Sequence, residues 1–237
     1  MFVQYRLDDW QTPTFLQWYQ RLLPTVQQHY PSWLPARHKE FLAGRYCALH
    51  ALTQLGYQPN VQDILPRNDK NRRAIWPEGY VGSISHHDGH AIAIAARQTE
   101  HQALGIDIEP WMQPSQALTL MPRLCTPEEQ AALLAQPQQL ARQMTILFSA
   151  KETLYKLLYE HVEHYMGFHT AGLIDMDERT VRLRLNANWG RWAVDSVFEL
   201  DYQTDGWGVC TSAALPRCAQ QRSDGDASTT IARHNSM

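Results

Sequence analysis

Residues Gly105 to Glu109 read Gly-Ile-Asp-Ile-Glu, and Phe148-Ser-Ala-Lys-Glu-Thr-Leu-Tyr-Lys156 follows downstream. The first segment constrains the chain most. Leu104, Ile106 and Ile108 alternate, which predicts a strand with one apolar face. Side chains two apart on a strand point the same way, roughly 7 Å apart. Asp107 and Glu109 are therefore expected to project together from the face opposite the isoleucines. Paired carboxylates repel unless a cation sits between them. Hard oxygen ligands on a rigid strand suit Mg²⁺, which takes one or two carboxylates and shares a phosphate-bearing substrate. The downstream segment offers a third carboxylate, Glu152, with Lys151 and Lys156 beside it. Metal and lysines together point to a polyphosphate ligand.

Composition narrows the class. The 237 residues are 44% hydrophobic and 19% charged, the balance of a globular chain with a real core. A net charge of −3 argues against a general nucleic-acid binder. Cys47, Cys125, Cys210 and Cys218 show no zinc or CxxC spacing, which fits a reducing cytoplasm. The N-terminus has no signal-peptide pattern and no stretch is long and apolar enough to span a bilayer, so a soluble cytoplasmic protein is expected.

Along the chain, a short helix is expected around Thr14 to Leu23. A longer one is expected from Arg37 to Leu55, with an apolar stripe from Phe41 to Leu55, Gly56 as its stop, and Arg37, Arg45 and His50 off the stripe. Residues 57–79 are read as loop, with a basic cluster at Lys70, Arg72 and Arg73. Tyr80–Ser85 and Ala91–Ala96 alternate as strands of a hairpin. Thr126-Pro-Glu-Glu129 carries a capping box, which accounts for Glu129 and keeps it out of the metal set. Met144 to Glu160 reads as a strong helix. Strands are expected at 181–185, 196–202 and 207–211, with Asp205-Gly206 as a turn. The result is an α+β chain with lobes 1–105 and 106–216 and a disordered tail, 217–237. The similar order of elements in the lobes hints at pseudo-symmetry.

Each candidate has a plain structural counterpart. Asp107 and Glu109 could be a solvated strand face. Glu152 and Lys156, four apart, could form a surface pair worth roughly 0.2–0.5 kcal/mol. Ser85 and His86 lie on opposite faces of a strand and no Gly-x-Ser-x-Gly elbow is present, so phosphate binding is favoured over a nucleophile. His87 and His90 are read as turn residues. Arg37 and Arg45, eight apart, could clamp a phosphate.

Gly82-Ser-Ile-Ser-His86, Gly105-Ile-Asp-Ile-Glu109 and Phe148-Ser-Ala-Lys-Glu-Thr-Leu-Tyr-Lys156 resemble the three ordered motifs of the 4′-phosphopantetheinyl transferases. The chain looks like the Sfp-type monomeric branch and is most similar to its enterobactin synthase component D subgroup. Phe41-Leu-Ala-Gly-Arg45 and Ile75-Trp-Pro-Glu-Gly79 also fit that subgroup, and Phe148 stands where another branch carries tryptophan. The resemblance implies two pseudo-symmetric α+β lobes with the active site at their seam. It implies Mg²⁺ on Asp107, Glu109 and Glu152, and coenzyme A contacts at Arg37, Arg45, Arg73, Ser85, His86, Lys151 and Lys156. The implied reaction moves 4′-phosphopantetheine from coenzyme A to a serine of an apo carrier protein and releases 3′,5′-ADP. Glu152 is its candidate base and Lys156 stabilises charge. A Mg²⁺-dependent nucleotide or pyrophosphate hydrolase, and a non-catalytic binder of coenzyme A or carrier protein, are the alternatives.

Overall fold

The computed structural model describes residues 1–58, 74–159, 162 and 166–217. The expectations for Lys70, Arg72, Arg73 and Cys218, and for the tail from 218, lie outside the described residues. The described residues form five helices and two antiparallel sheets, a mixed α+β architecture. No described helix is long and apolar enough to cross a membrane.

The first sheet has the order β1-β3-β2, from β1 (Val3–Leu7), β2 (Tyr80–His87) and β3 (His90–Arg97). His87 pairs with His90 across the two-residue turn Asp88-Gly89, where both residues have positive φ (42° and 86°). Such turns match the twist of the flanking strands. β3 is central and buried on both faces. Its alanines, Ala91, Ala93 and Ala95, join a core with Tyr46, Cys47, Ala48 and Ala51 of α2 (Pro35–Gln54), so that the helix lies close to the sheet. Its isoleucines, Ile92 and Ile94, pack on the other side with Val81, Leu104, Ile106 and Ile108.

α1 (Pro13–His29) covers α2 with Phe15, Leu22 and Val26. It runs past the expected stop at Leu23 because that buried stripe outweighs the hydrogen bond lost at Pro24. α2 differs more from expectation. It has no single stripe: His38 and Arg45 are buried along with Phe41, Leu42 and Cys47, because the helix lies between α1 and the sheet.

The second sheet has the order β4-β8-β7-β6-β5, from β4 (His101–Pro110), β5 (Ala171–Met176), β6 (Thr180–Leu185), β7 (Val197–Thr204) and β8 (Gly208–Pro216). α5 (Leu140–Tyr159) packs on β4 and β8. α3 (Pro114–Leu124) and α4 (Pro127–Leu134) flank it, and Thr126 and Glu129 form the expected capping box on α4. β1, α3 and β5 were not expected from the sequence. The Asp205 carboxylate accepts from the Trp207 and Gly208 amides and so builds the expected turn into β8.

The two sheets meet at β2 and β4 without a backbone ladder. Val81, Ser83, Ser85 and His87 share one face of β2. The amides of Ile106 and Ile108 point away from the β8 pairing and donate to Ser83 Oγ (3.1 Å) and Ser85 Oγ (3.3 Å).

Gly105 sets how closely α5 can lie on β4. A Cβ there would stand 2.3 Å from the Thr153 carbonyl oxygen and 3.1 Å from Leu157 Cβ. Gly105→Ala is therefore expected to push the helix off the strand and cost about 3 kcal/mol. A urea midpoint equal to wild type would contradict that contact.

Candidate active site

The three sequence segments converge on one carboxylate. Asp107 is buried on β4, and its Oδ1 accepts from Ser85 Oγ (2.9 Å) and Lys156 Nζ (2.7 Å). Its Oδ2 accepts from Ser149 Oγ (2.9 Å). Ser85 comes from β2, and Ser149 and Lys156 from α5. Lys156 Nζ also donates to the Ile106 carbonyl (3.0 Å). Its hydrogen bonds thus go to β4 and not to Glu152, so the helical surface pair is not the arrangement adopted. Ser85 donates to Asp107 and not to His86, in line with the expectation that it is no hydrolase nucleophile.

Glu109 lies two residues on and pairs with His87, whose Nδ1 donates to Oε2 at 2.9 Å. Burial pushes the Glu109 carboxyl up from the usual range, the His87 hydrogen bond opposes this, and the neighbouring Asp107 adds to the rise. The same bond raises the His87 imidazole. His87, expected as a turn residue, is thus tied to the site. The every-second-residue pattern through Ser83 and Ser85 could have shown this. Glu152 is half-buried, and its carboxyl is pushed up first by burial and then by Asp107 and Glu109, against the pull of Lys156. The Asp107 charge thus raises both Glu109 and Glu152, and Glu109 adds to the rise of Glu152. Among the described residues, no three or more His, Cys, Asp or Glu side chains gather closely enough to hold a metal ion.

On the β2 face toward α2, Arg37 Nη1 donates to His86 Nε2 (3.2 Å) and to Glu40 Oε2 (3.1 Å), and its guanidinium lies over the Trp33 ring. An arginine cannot accept, so His86 Nε2 carries no proton. Burial, then the charge of Arg37 and more weakly of Lys156, depress the His86 pKa to about 4. Gly44 admits this packing, because a Cβ there would stand 2.7 Å from Ile84. Arg45, expected off the apolar stripe with Arg37, is not a surface residue. It is buried in α2 with its guanidinium over Phe41, and burial lowers its pKa to about 10.

Lys151, expected as a coenzyme A contact, is fully buried on the other side of α5. Its Nζ donates to the Leu124 carbonyl (2.7 Å) and to Glu129 Oε2 (2.9 Å). Glu129 also accepts from the Thr126 amide (2.7 Å) and, through Oε1, from the Leu173 amide (2.7 Å). One ion pair thus joins α3, α4, α5 and β5. The helix that presents Glu152 and Lys156 to the seam turns Lys151 into the opposite core. Sequence reasoning found the Glu129 cap but not its second partner, which comes from another helix.

Comparison with known proteins agrees with the motifs. Residues 26–96 match the 4′-phosphopantetheinyl transferase N-terminal domain, and residues 103–210 match the 4′-phosphopantetheinyl transferase superfamily. The chain is 30% identical to enterobactin synthase component D of Salmonella typhimurium over 210 residues, covering 84% of this chain and 86% of that one. It is 34% identical to the 4′-phosphopantetheinyl transferase Svp of Streptomyces mobaraensis over 165 residues (69% and 65%). It is 35% identical to the 4′-phosphopantetheinyl transferase PptT of Mycobacterium tuberculosis over 136 residues (57% of each).

Two outcomes follow from this geometry. Lys151→Met leaves Glu129 buried without its cation and is expected to cost about 3 kcal/mol of stability. Turnover of the folded enzyme should stay near wild type, and a selective rise in the KM for coenzyme A without destabilisation would restore Lys151 to the site. For His86, the folded pKa of about 4 lies below the roughly 6.5 of an unfolded histidine. Between these values the unfolded chain binds the extra proton, so stability falls as pH drops from 6.5 toward 4. His86→Gln should remove that part of the slope, on the order of 2 kcal/mol between pH 7 and pH 4. Parallel stability–pH curves for wild type and variant would show that His86 titrates normally.

Proposed function

Because the chain belongs to the 4′-phosphopantetheinyl transferase superfamily, we propose that it transfers 4′-phosphopantetheine from coenzyme A to a serine of an apo carrier protein and releases 3′,5′-ADP. The observation that carries this reading is the convergence of all three motifs on Asp107, through Ser85, Ser149 and Lys156. The site lies at the seam of two lobes, 1–105 and 106–216, which β4 joins.

Asp107, Glu109 and Glu152 are the oxygen donors that the family resemblance assigns to the metal; they do not gather closely enough in this structure to hold an ion, but Asp107 adds to the rise of Glu109, and Asp107 and Glu109 add to that of Glu152. A hard divalent cation such as Mg²⁺ would suit the chemistry of these carboxylates, and when bound it would supply charge for the pyrophosphate and the leaving group. The chain's own residues do the rest. Arg37, with neutral His86 oriented beside it, offers a cationic clamp for phosphate. Arg45 and Arg73 are carried as further coenzyme A residues on family resemblance. Lys156, partly buried at the seam, brings positive charge to the leaving phosphate oxygens. Glu152, whose carboxyl is raised by burial, is the group to take the carrier serine's proton as its oxygen attacks the β-phosphate. The reading includes a monomer working in the cytoplasm on carrier domains of siderophore, polyketide or peptide synthesis.

Incubation with coenzyme A, Mg²⁺ and a panel of apo carriers should add one phosphopantetheinyl group to at least one of them by intact mass. No mass shift on any carrier would refute the transfer reading, and coenzyme A cleavage without a carrier would favour hydrolysis. Asp107→Ala and Lys156→Ala should each lower turnover roughly a hundredfold or more. Near-normal turnover in a folded variant removes that residue from the reaction.

A further inference from the structure

Behind Ser149 lie two more hydroxyls that the transfer reading leaves without a task. Ser149 Oγ is 2.8 Å from Thr211 Oγ1, and Thr211 Oγ1 is 2.6 Å from Thr153 Oγ1. All three residues are fully buried; Ser149 and Thr153 come from α5 and Thr211 from β8, beside Asp107 in the ladder.

The proton count assigns a direction. A carboxylate only accepts, so the single Ser149 proton goes to Asp107 Oδ2. Thr211 must then be the donor to Ser149, and its own proton is used. Thr153 is therefore the donor to Thr211 Oγ1, with a longer contact to the Thr211 carbonyl oxygen (3.2 Å). Three hydroxyls carry three protons, all directed toward Asp107. Chains of this kind polarise one another.

Packing alone does not require hydroxyls here, because valine fills the same space as threonine and a buried donor–acceptor pair can be replaced by apolar groups of the same shape at little cost. The usual habit of helical hydroxyls in this chain is also different. Thr53, Thr119 and Thr145 each donate to the carbonyl four residues earlier on their own helix, at 2.9, 2.8 and 2.7 Å. Ser149 and Thr153 depart from that habit. We infer that Thr211 and Thr153 are positioning residues for the transfer: they turn Ser149 away from its own helix and lock its proton onto Asp107 Oδ2, which fixes the plane of the carboxylate.

This rests on the transferase reading, and the experiment separates the two. Thr211→Val keeps the shape and removes the donor, whereas Thr211→Ser keeps the donor. Mn²⁺ titration followed by electron paramagnetic resonance, without coenzyme A, and kcat and KM for transfer are measured for both, beside thermal melts. Thr211→Val should lose roughly tenfold in Mn²⁺ affinity and in kcat, the loss typical of a removed supporting partner, and Thr211→Ser should stay within about twofold of wild type. Thr153→Val, one step further away, should lose about threefold. It carries the test, with Thr153→Ser as control, should Thr211→Val not fold. Wild-type Mn²⁺ affinity and kcat in folded Thr211→Val overturn the inference, as does an equal loss in Thr211→Ser, which would mean that shape matters and not the hydroxyl. If wild type modifies no carrier while Mn²⁺ affinity still separates Val from Ser, the transfer reading fails and the positioning stands. If wild type transfers and the two variants do not separate, the positioning fails and the transfer stands.

Discussion

The edge-facing amides of Ile106 and Ile108, buried and unpaired by any strand ladder, set the constraint on which the rest of the structure depends. β4 is the edge strand of its sheet, and an edge leaves donors that must be satisfied when they are buried. Here the neighbouring β2 supplies serine side chains in place of a ladder. Serine is short enough to bring the strands close and has a lone pair for the amide and a proton for something else. At Ser85 that something else is Asp107. Small residues next to the seam keep the layers tight: the alanines of β3 under α2, and Gly105 under α5.

Charge in the site is arranged by burial as much as by pairing. Asp107 has three donors, Glu109 has the His87 ring, and Glu152 has neighbours of its own sign with Lys156 as counterweight. The carboxylate best supplied with donors is thus the structural centre, and Glu109 and Glu152 beside it are both raised by burial. The Lys151–Glu129 pair, on the opposite side of the same helix, ties the middle of α5 to α3 and α4.

What the sequence discloses depends on whether the cause is local. The β2–β3 hairpin, the β4 alternation, the Thr126 capping box and most of α5 follow from spacing within a few residues, and the structure has them. β1 and β5 are short strands whose pairing partners, β3 and β6, define them, and α3 carries Pro122, a poor helix former, in its last turn. At the site, Asp107 and Lys156 were legible because period two and the charge pattern agreed. Lys151 was not, because a helical wheel gives the angle between residues but not which angle faces the sheet. Thr211 was not either, because it sits in an ordinary strand and matters only through Ser149 on another element.

Ser85 holds together two things that most enzymes keep apart. The same oxygen that joins the sheets also orients the carboxylate, so this site sits in a joint and not on a loop carried by an indifferent scaffold. A ligand phosphate that draws Lys156 off Asp107 would loosen α5 from β4 and remove a charge from the carboxylate that Ser85 shares with the joint. Occupancy and cooperativity of melting become linked quantities, and compounds that compete for the lysine could be ranked by how they alter the width of the unfolding transition as well as its midpoint.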